Sequence, residues 1–72
     1  MSEQKWEIEF TVACVNEFAH QYHLSAQEAF RYLFQFKGIE FIKENYEIER
    51  TLDFDTIIEN LRLVCKNNGG IL

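Results

Sequence analysis

Apolar residues recur at helical spacing along almost the whole chain, and this pattern constrains the fold more than any other feature. The spacing is interrupted at 24–25, at Gly38, at 51–53 and at 67–70, and no segment alternates with the period of two that is typical of a strand. The 72 residues include no proline. We therefore predict one domain over 1–72, an all-α orthogonal bundle of about four short helices, near 3–22, 25–37, 39–49 and 54–67.

The first predicted helix carries apolar residues on two sides. We expect the core face to contain Ile8, Thr11, Val12, Cys14, Val15, Phe18, Ala19 and Tyr22. Trp6, Phe10 and Ala13 lie outside that face, on the side of Glu17. This second strip is either covered by another element or exposed as a contact surface.

The second predicted helix has the clearest start signal. Ser25 followed by Glu28 forms a capping box, and we expect Gly38 to end the helix in the left-handed conformation. Apolar residues cover more than half of its circumference: Ala26, Ala29, Phe30, Tyr32, Leu33, Phe34 and Phe36. A helix with this pattern is covered on two sides, so it is either the central helix or the one that meets another chain.

The remaining two helices have narrower apolar faces. In 39–49, Ile39, Ile42 and Tyr46 lie together, while Phe41 and Ile48 lie opposite them. Asp53 is a good N-cap for the helix over 54–67, and Asn67 to Gly70 should end it. We expect the apolar tail, Ile71 and Leu72, to fray.

The net charge of −5 is concentrated in one segment, because residues 40–60 hold seven acidic and two basic residues. A charge run of this kind is usually a solvated helix face. The same acids, Glu40, Glu44 and Glu47 among them, could steer a basic partner toward the protein. They would repel a phosphate backbone, so we expect no direct nucleic-acid binding. The alternative is a nucleic-acid-linked regulator that acts as a dimer or through a partner. In the dimer, Arg31, Lys37 and Arg62 would be presented to phosphate.

We predict no catalytic, cofactor-binding or metal-binding residues. Cys14 and Cys65 lie within apolar stripes, where burial raises the pKa of a thiol and suppresses the thiolate. No glycine-rich loop cradles phosphate, and so small a core leaves little room for a small-molecule substrate. Glu17, His20 and His23 have the spacing i, i+3, i+6, which drifts around a helix. An enzyme built on a metal held by these three residues is therefore the distant alternative.

The chain has no apolar run of the ~20 residues that would cross a bilayer. The sequence from Met1 to Lys5 has neither the basic nor the apolar region of an export signal. We therefore expect a cytoplasmic protein with no membrane contact.

Aromatic residues make up 15% of the chain, namely seven Phe, three Tyr and one Trp. Dense packing in a monomer could absorb most of these rings, or some of them could form an exposed patch that marks an interface. Interfaces favour aromatic residues, so we take a protein partner or self-association as the working hypothesis. The candidate partner-binding residues are Trp6, Phe10, Tyr32, Phe36, Phe41 and Ile48.

Several of these positions also carry a family resemblance. The chain has Phe10, Cys14, the stretch from Leu24 to Phe30 with the capping box, Gly38, Phe41, Ile42, Tyr46, and Ile57 to Glu59 in order. Over roughly 10–65 it resembles a family of short bacterial proteins classed as a domain of unknown function. Relatives often lie beside genes for ADP-ribosyltransferase-like toxins, which implies an antitoxin-like role. They commonly carry His-Thr where this chain has Arg50 and Thr51.

These observations lead to a functional prediction. We expect a small protein–protein interaction module, an accessory or antitoxin-like subunit that could be a homodimer.

Overall fold

The computed structural model describes the backbone of residues 2–72 and the side chains of residues 7–72. Five helices follow one another: α1 (Ser2–Tyr22), α2 (Ala26–Gln35), α3 (Gly38–Glu44), α4 (Tyr46–Glu49) and α5 (Phe54–Asn67). The described residues contain no strand, which confirms the predicted all-α bundle. Within the same residues, no helix is both long enough and apolar enough to cross a membrane.

A tight reversal joins α1 to α2. The Leu24 amide donates to the Ala19 carbonyl over 2.8 Å, and His23 adopts the left-handed conformation with φ of 57°. The predicted capping box is confirmed, because the Glu28 amide donates to Ser25 Oγ and the Ser25 amide donates to the Glu28 carboxylate. The reversal brings α2 back against α1.

Gly38 does not end the second helix, so that expectation is wrong. Helix α2 ends at Gln35, Lys37 takes the left-handed conformation with φ of 73°, and Gly38 is the first residue of α3. A Cβ atom at Gly38 would lie 2.8 Å from Leu33 Cδ2 and 3.2 Å from Cys65 Sγ. Glycine is required here because α3 approaches α2 and α5 too closely for a side chain.

The helix predicted over 39–49 is divided at Asn45. The Phe41 carbonyl accepts hydrogen bonds from both the backbone amide and the side-chain Nδ2 of Asn45. The Asn45 side chain therefore competes with the backbone for the same acceptor. The following helix, α4, has four residues. The start of α5 is as predicted, since Asp53 Oδ1 accepts the Thr56 amide over 2.8 Å.

The chain after α5 is tied back to the bundle. The Gly70 amide donates to the Cys65 carbonyl over 2.7 Å, and the Leu72 amide donates to the Tyr32 hydroxyl over 2.9 Å. Leu72 also packs against the core, so the expectation of a frayed tail is wrong for this residue. Ile71 is exposed.

The core draws on four of the five helices. Its buried apolar residues are Cys14, Val15, Phe18, Ala19, Ala29, Leu33, Ile42, Ile57, Ile58, Leu61 and Cys65. The core face predicted for α1 is correct in its C-terminal half and wrong in its N-terminal half, where Ile8 and Val12 are exposed. Phe10, predicted to lie outside the core face, packs against the core.

Candidate partner-binding surface

Four of the six predicted partner-binding residues pack against the core of their own chain: Phe10, Tyr32, Phe36 and Phe41. The Phe10 ring meets Tyr46 edge to face, with ring centroids 5.5 Å apart. The Tyr32 ring lies 5.9 Å from Phe18 and 4.9 Å from Phe36. These rings therefore fill space inside the protomer, although each keeps some exposure.

The other two predicted residues have different positions. Ile48 is exposed on α4. The side chain of Trp6 lies outside the described residues.

A group of four exposed apolar side chains lies outside the predicted set of partner-binding residues. It consists of Ile8 at 60% exposure, Val12 at 52%, Phe30 at 47% and Phe34 at 67%. We call these four residues the apolar face. The Phe30 and Phe34 rings are neighbours, with centroids 5.9 Å apart. Helices α1 and α2 each contribute residues i and i+4, which lie on one side of a helix.

An open groove runs beside this face. It has a volume of about 360 Å³ and is bordered by α1, α2 and α3. Its lining residues are Glu7, Ile8, Thr11, Val12, Phe30, Ile39 and Lys43. A second groove of about 330 Å³ continues from Ile39 and Lys43 to Phe34, Gln35, Lys37 and Glu40. The two grooves therefore adjoin each other at Ile39 and Lys43 of α3, and both border the apolar face.

Helix α1 is too long for α2 to cover all of it. Helix α1 has 21 residues and α2 has 10, which at 1.5 Å per residue gives about 31 Å against about 15 Å. Val15 and Ala19, toward the C-terminal end of α1, are buried. Ile8 and Val12 lie on the same side of α1 but remain exposed, although Phe30 of α2 lines the groove beside them.

Two of the three glutamates predicted to steer a partner have cationic neighbours. Glu40 lies 3.8 Å from Lys37, and Glu47 lies 3.2 Å from Arg50. Exposed pairs of this kind contribute little to stability, but they reduce the local field. Arg62, a candidate phosphate ligand, lies 2.6 Å from Glu59.

One member of the acidic segment is buried, which the sequence analysis missed. Glu49 is only 4% exposed, and its carboxylate accepts Asn60 Nδ2 at 3.2 and 3.4 Å. The expectation of a solvated acidic face is therefore wrong at this residue. Its position in the short α4 gave no periodicity from which burial could be recognised.

Both cysteines are buried and free. Burial, with a smaller contribution from the charge of Glu49, raises the pKa of the Cys14 thiol to about 12. Burial likewise raises the pKa of the Cys65 thiol to about 11, although a hydrogen bond with the Gly38 backbone opposes this. Neither thiol is a ready nucleophile in the folded protein.

The histidines suggested as metal ligands do not form a cluster. His20 and His23 are exposed at the end of α1, and His23 occupies the left-handed position of the turn. Over the part of the chain that the structure describes, no three His, Cys, Asp or Glu residues are arranged to hold a metal ion.

The fold and the surface define a small all-α protein with an open apolar face. A family model described as "Protein of unknown function (DUF3791)" matches residues 9–68. The chain therefore belongs to this family, which agrees with the resemblance seen in the sequence. No match was found among curated proteins or among solved structures.

Proposed function

We propose that the protein is a protein–protein interaction module that binds its partner through the apolar face. The observation that carries the proposal is the exposure of Ile8, Val12, Phe30 and Phe34 on one continuous surface. Small monomeric proteins rarely expose contiguous apolar patches of more than a few hundred Å² unless the patch binds something. Burying such side chains against a partner releases free energy in proportion to the area covered.

The chemistry of the remaining side chains supports binding rather than catalysis. Burial holds the pKa of both thiols above its ordinary range, and the two grooves are open rather than enclosed. Lys37 and Arg62, two of the three cations considered for phosphate binding, lie beside carboxylates. An accessory or antitoxin-like subunit, which the family resemblance implies, would use the protein in this way.

The proposal predicts that a crosslinker placed in the apolar face captures a partner. Phe34 is replaced by the photocrosslinking residue p-benzoylphenylalanine in cells that make the protein. Phe54 is the matched control, because it is also an exposed phenylalanine but lines neither groove. We expect a discrete adduct from position 34 and none from position 54.

The mass of the adduct identifies its partner. An adduct of twice the chain mass of 8.6 kDa is a second copy, and any other mass is a different protein. Absence of an adduct at position 34, or equal adducts at both positions, would contradict the proposal.

A further inference from the structure

The charges around the apolar face are balanced, although the chain as a whole is acidic. The ionisable residues that line the two grooves are Glu7, Glu40, Lys37 and Lys43. Two carboxylates and two ammonium groups cancel, so the net charge of −5 lies on the rest of the molecule. Two copies of an acidic protein repel each other through most surfaces. That repulsion is smallest when the apolar faces of the two copies pack against each other.

The negative and positive charges also lie on opposite sides of the groove. Glu7 belongs to α1 and Lys43 to α3, and both line the groove that separates these helices. A two-fold axis places residue i of one copy against residue j of the other, and j against i. If the two-fold axis runs along this groove, each wall faces the opposite wall of the other copy, and Glu7 of each copy approaches Lys43 of its partner.

We propose that the occupant of the apolar face is a second copy of the chain, packed face to face about a two-fold axis. The inference rests on the proposed function and names its partner. In the dimer, Phe30 and Phe34 cover the exposed Ile8 and Val12 of the other copy. The pairs between Glu7 of one copy and Lys43 of the other, which we call the rim charges, fix how the two copies align.

The size of the molecule is sufficient for such an interface. A stable interface buries about 800 Å² on each partner. The protein measures 34 × 22 × 21 Å and has a total accessible surface of 4960 Å². An interface of that size would occupy about a sixth of this surface.

Strongly charged partners fit this surface less well. A uniformly basic segment would meet Lys37 and Lys43 at the grooves, and a uniformly acidic one would meet Glu7 and Glu40, so each would face like charges there. An uncharged apolar helix from another protein would give neither Glu7 nor Lys43 an oppositely charged partner across the interface. A second copy satisfies the apolar residues and both charges together.

Sedimentation equilibrium from low micromolar to near-millimolar concentration tests the inference. We expect the wild-type protein to dimerise and Phe34→Asp to remain monomeric. Phe54→Asp is the control, and it should dimerise like the wild type. Circular dichroism on each variant shows whether the helices are retained, which we expect because both side chains are exposed.

Reversal of the rim charges tests the register. Glu7→Lys or Lys43→Glu alone should weaken the dimer about ten-fold, because each reversal acts twice in a symmetric pair. The double variant Glu7→Lys/Lys43→Glu should recover the wild-type dissociation constant. Failure of this recovery, or dimerisation of Phe34→Asp at wild-type strength, would overturn the inference.

A wild-type protein that stays monomeric at every concentration would also overturn it. The proposed function would survive that result if position 34 still crosslinks to a different protein. It would fail as well if no adduct forms.

Discussion

The two halves of α1 carry the same kind of apolar stripe, but one half is buried and the other is exposed. Val15 and Ala19 in the C-terminal half are buried, whereas Ile8 and Val12 on the same side of the N-terminal half are exposed. The residues do not differ in chemistry, so the difference comes from what lies across from them. A helical stripe specifies a face that favours contact, and the packing of the other helices decides how much of the face is covered within one protomer.

The largest expected contrast is between adjacent residues of α2. Leu33 is fully buried and Phe34 is exposed. Leu33→Ala should reduce the free energy of unfolding by about 2–5 kcal/mol, because it leaves a cavity in the core. Phe34→Ala should change it by less than about 0.5 kcal/mol in dilute protein. Urea unfolding of the two variants measures both values, and equal losses would mean that Phe34 is part of the core.

The comparison within α1 can be made with a single residue type. Val15→Ala removes two buried methyl groups and should cost roughly 2 kcal/mol. Val12→Ala removes the same groups from an exposed site and should cost less than about 0.5 kcal/mol. Thermal or urea unfolding at low protein concentration checks the pair. A loss at Val12 as large as that at Val15 would show that the N-terminal half is covered in the monomer.

The sequence predicted the helical elements better than their arrangement. The capping box at Ser25 and the N-cap at Asp53 were recognisable because each depends on residues within one turn. The break at Asn45 and the role of Gly38 depend on a competing side chain and on two distant helices, so local spacing did not reveal them.

The candidate surface was harder to predict for the same reason. Periodicity identified an apolar stripe on α1, but not the part of it that stays exposed in the protomer. It assigned Ile8 and Val12 to the core, and it proposed Phe10 and Tyr32 as contacts although both pack within the protomer. The composition nevertheless indicated an excess of aromatic side chains, and Phe30 and Phe34 account for part of it.

The turn that joins α1 to α2 can be strengthened. His23 adopts a left-handed φ of 57°, a conformation that costs free energy for any residue with a Cβ atom. His23→Gly should raise the free energy of unfolding by about 0.5–1 kcal/mol. His23→Ala is the control, and it should give no such gain. A gain from alanine equal to that from glycine would contradict a conformational cause.

The smallest effect is a pH dependence at the start of α2. The hydrogen bond with the Ser25 backbone holds the pKa of the Glu28 carboxyl below its ordinary value of 4.5. The folded state therefore favours the charged form, so this contribution to stability is complete above pH 4.5 and is lost as the pH falls through the lowered pKa. Glu28→Gln should flatten the stability profile over that range. An unchanged profile, measured by urea unfolding between pH 3 and 6, would exclude this contribution.

The most direct test of the open apolar face is the rate at which a thiol placed in it reacts. Cys14 and Cys65 are buried and should label slowly, so Val12→Cys and Val15→Cys can be compared in the native chain. In dilute protein we expect Val12→Cys to label at the rate of an exposed thiol and Val15→Cys to label only through unfolding. In concentrated protein Val12→Cys should become protected. Slow labelling of both variants in dilute protein, or fast labelling of Val12→Cys at every concentration, would contradict a face that is open in the monomer and closed in the dimer.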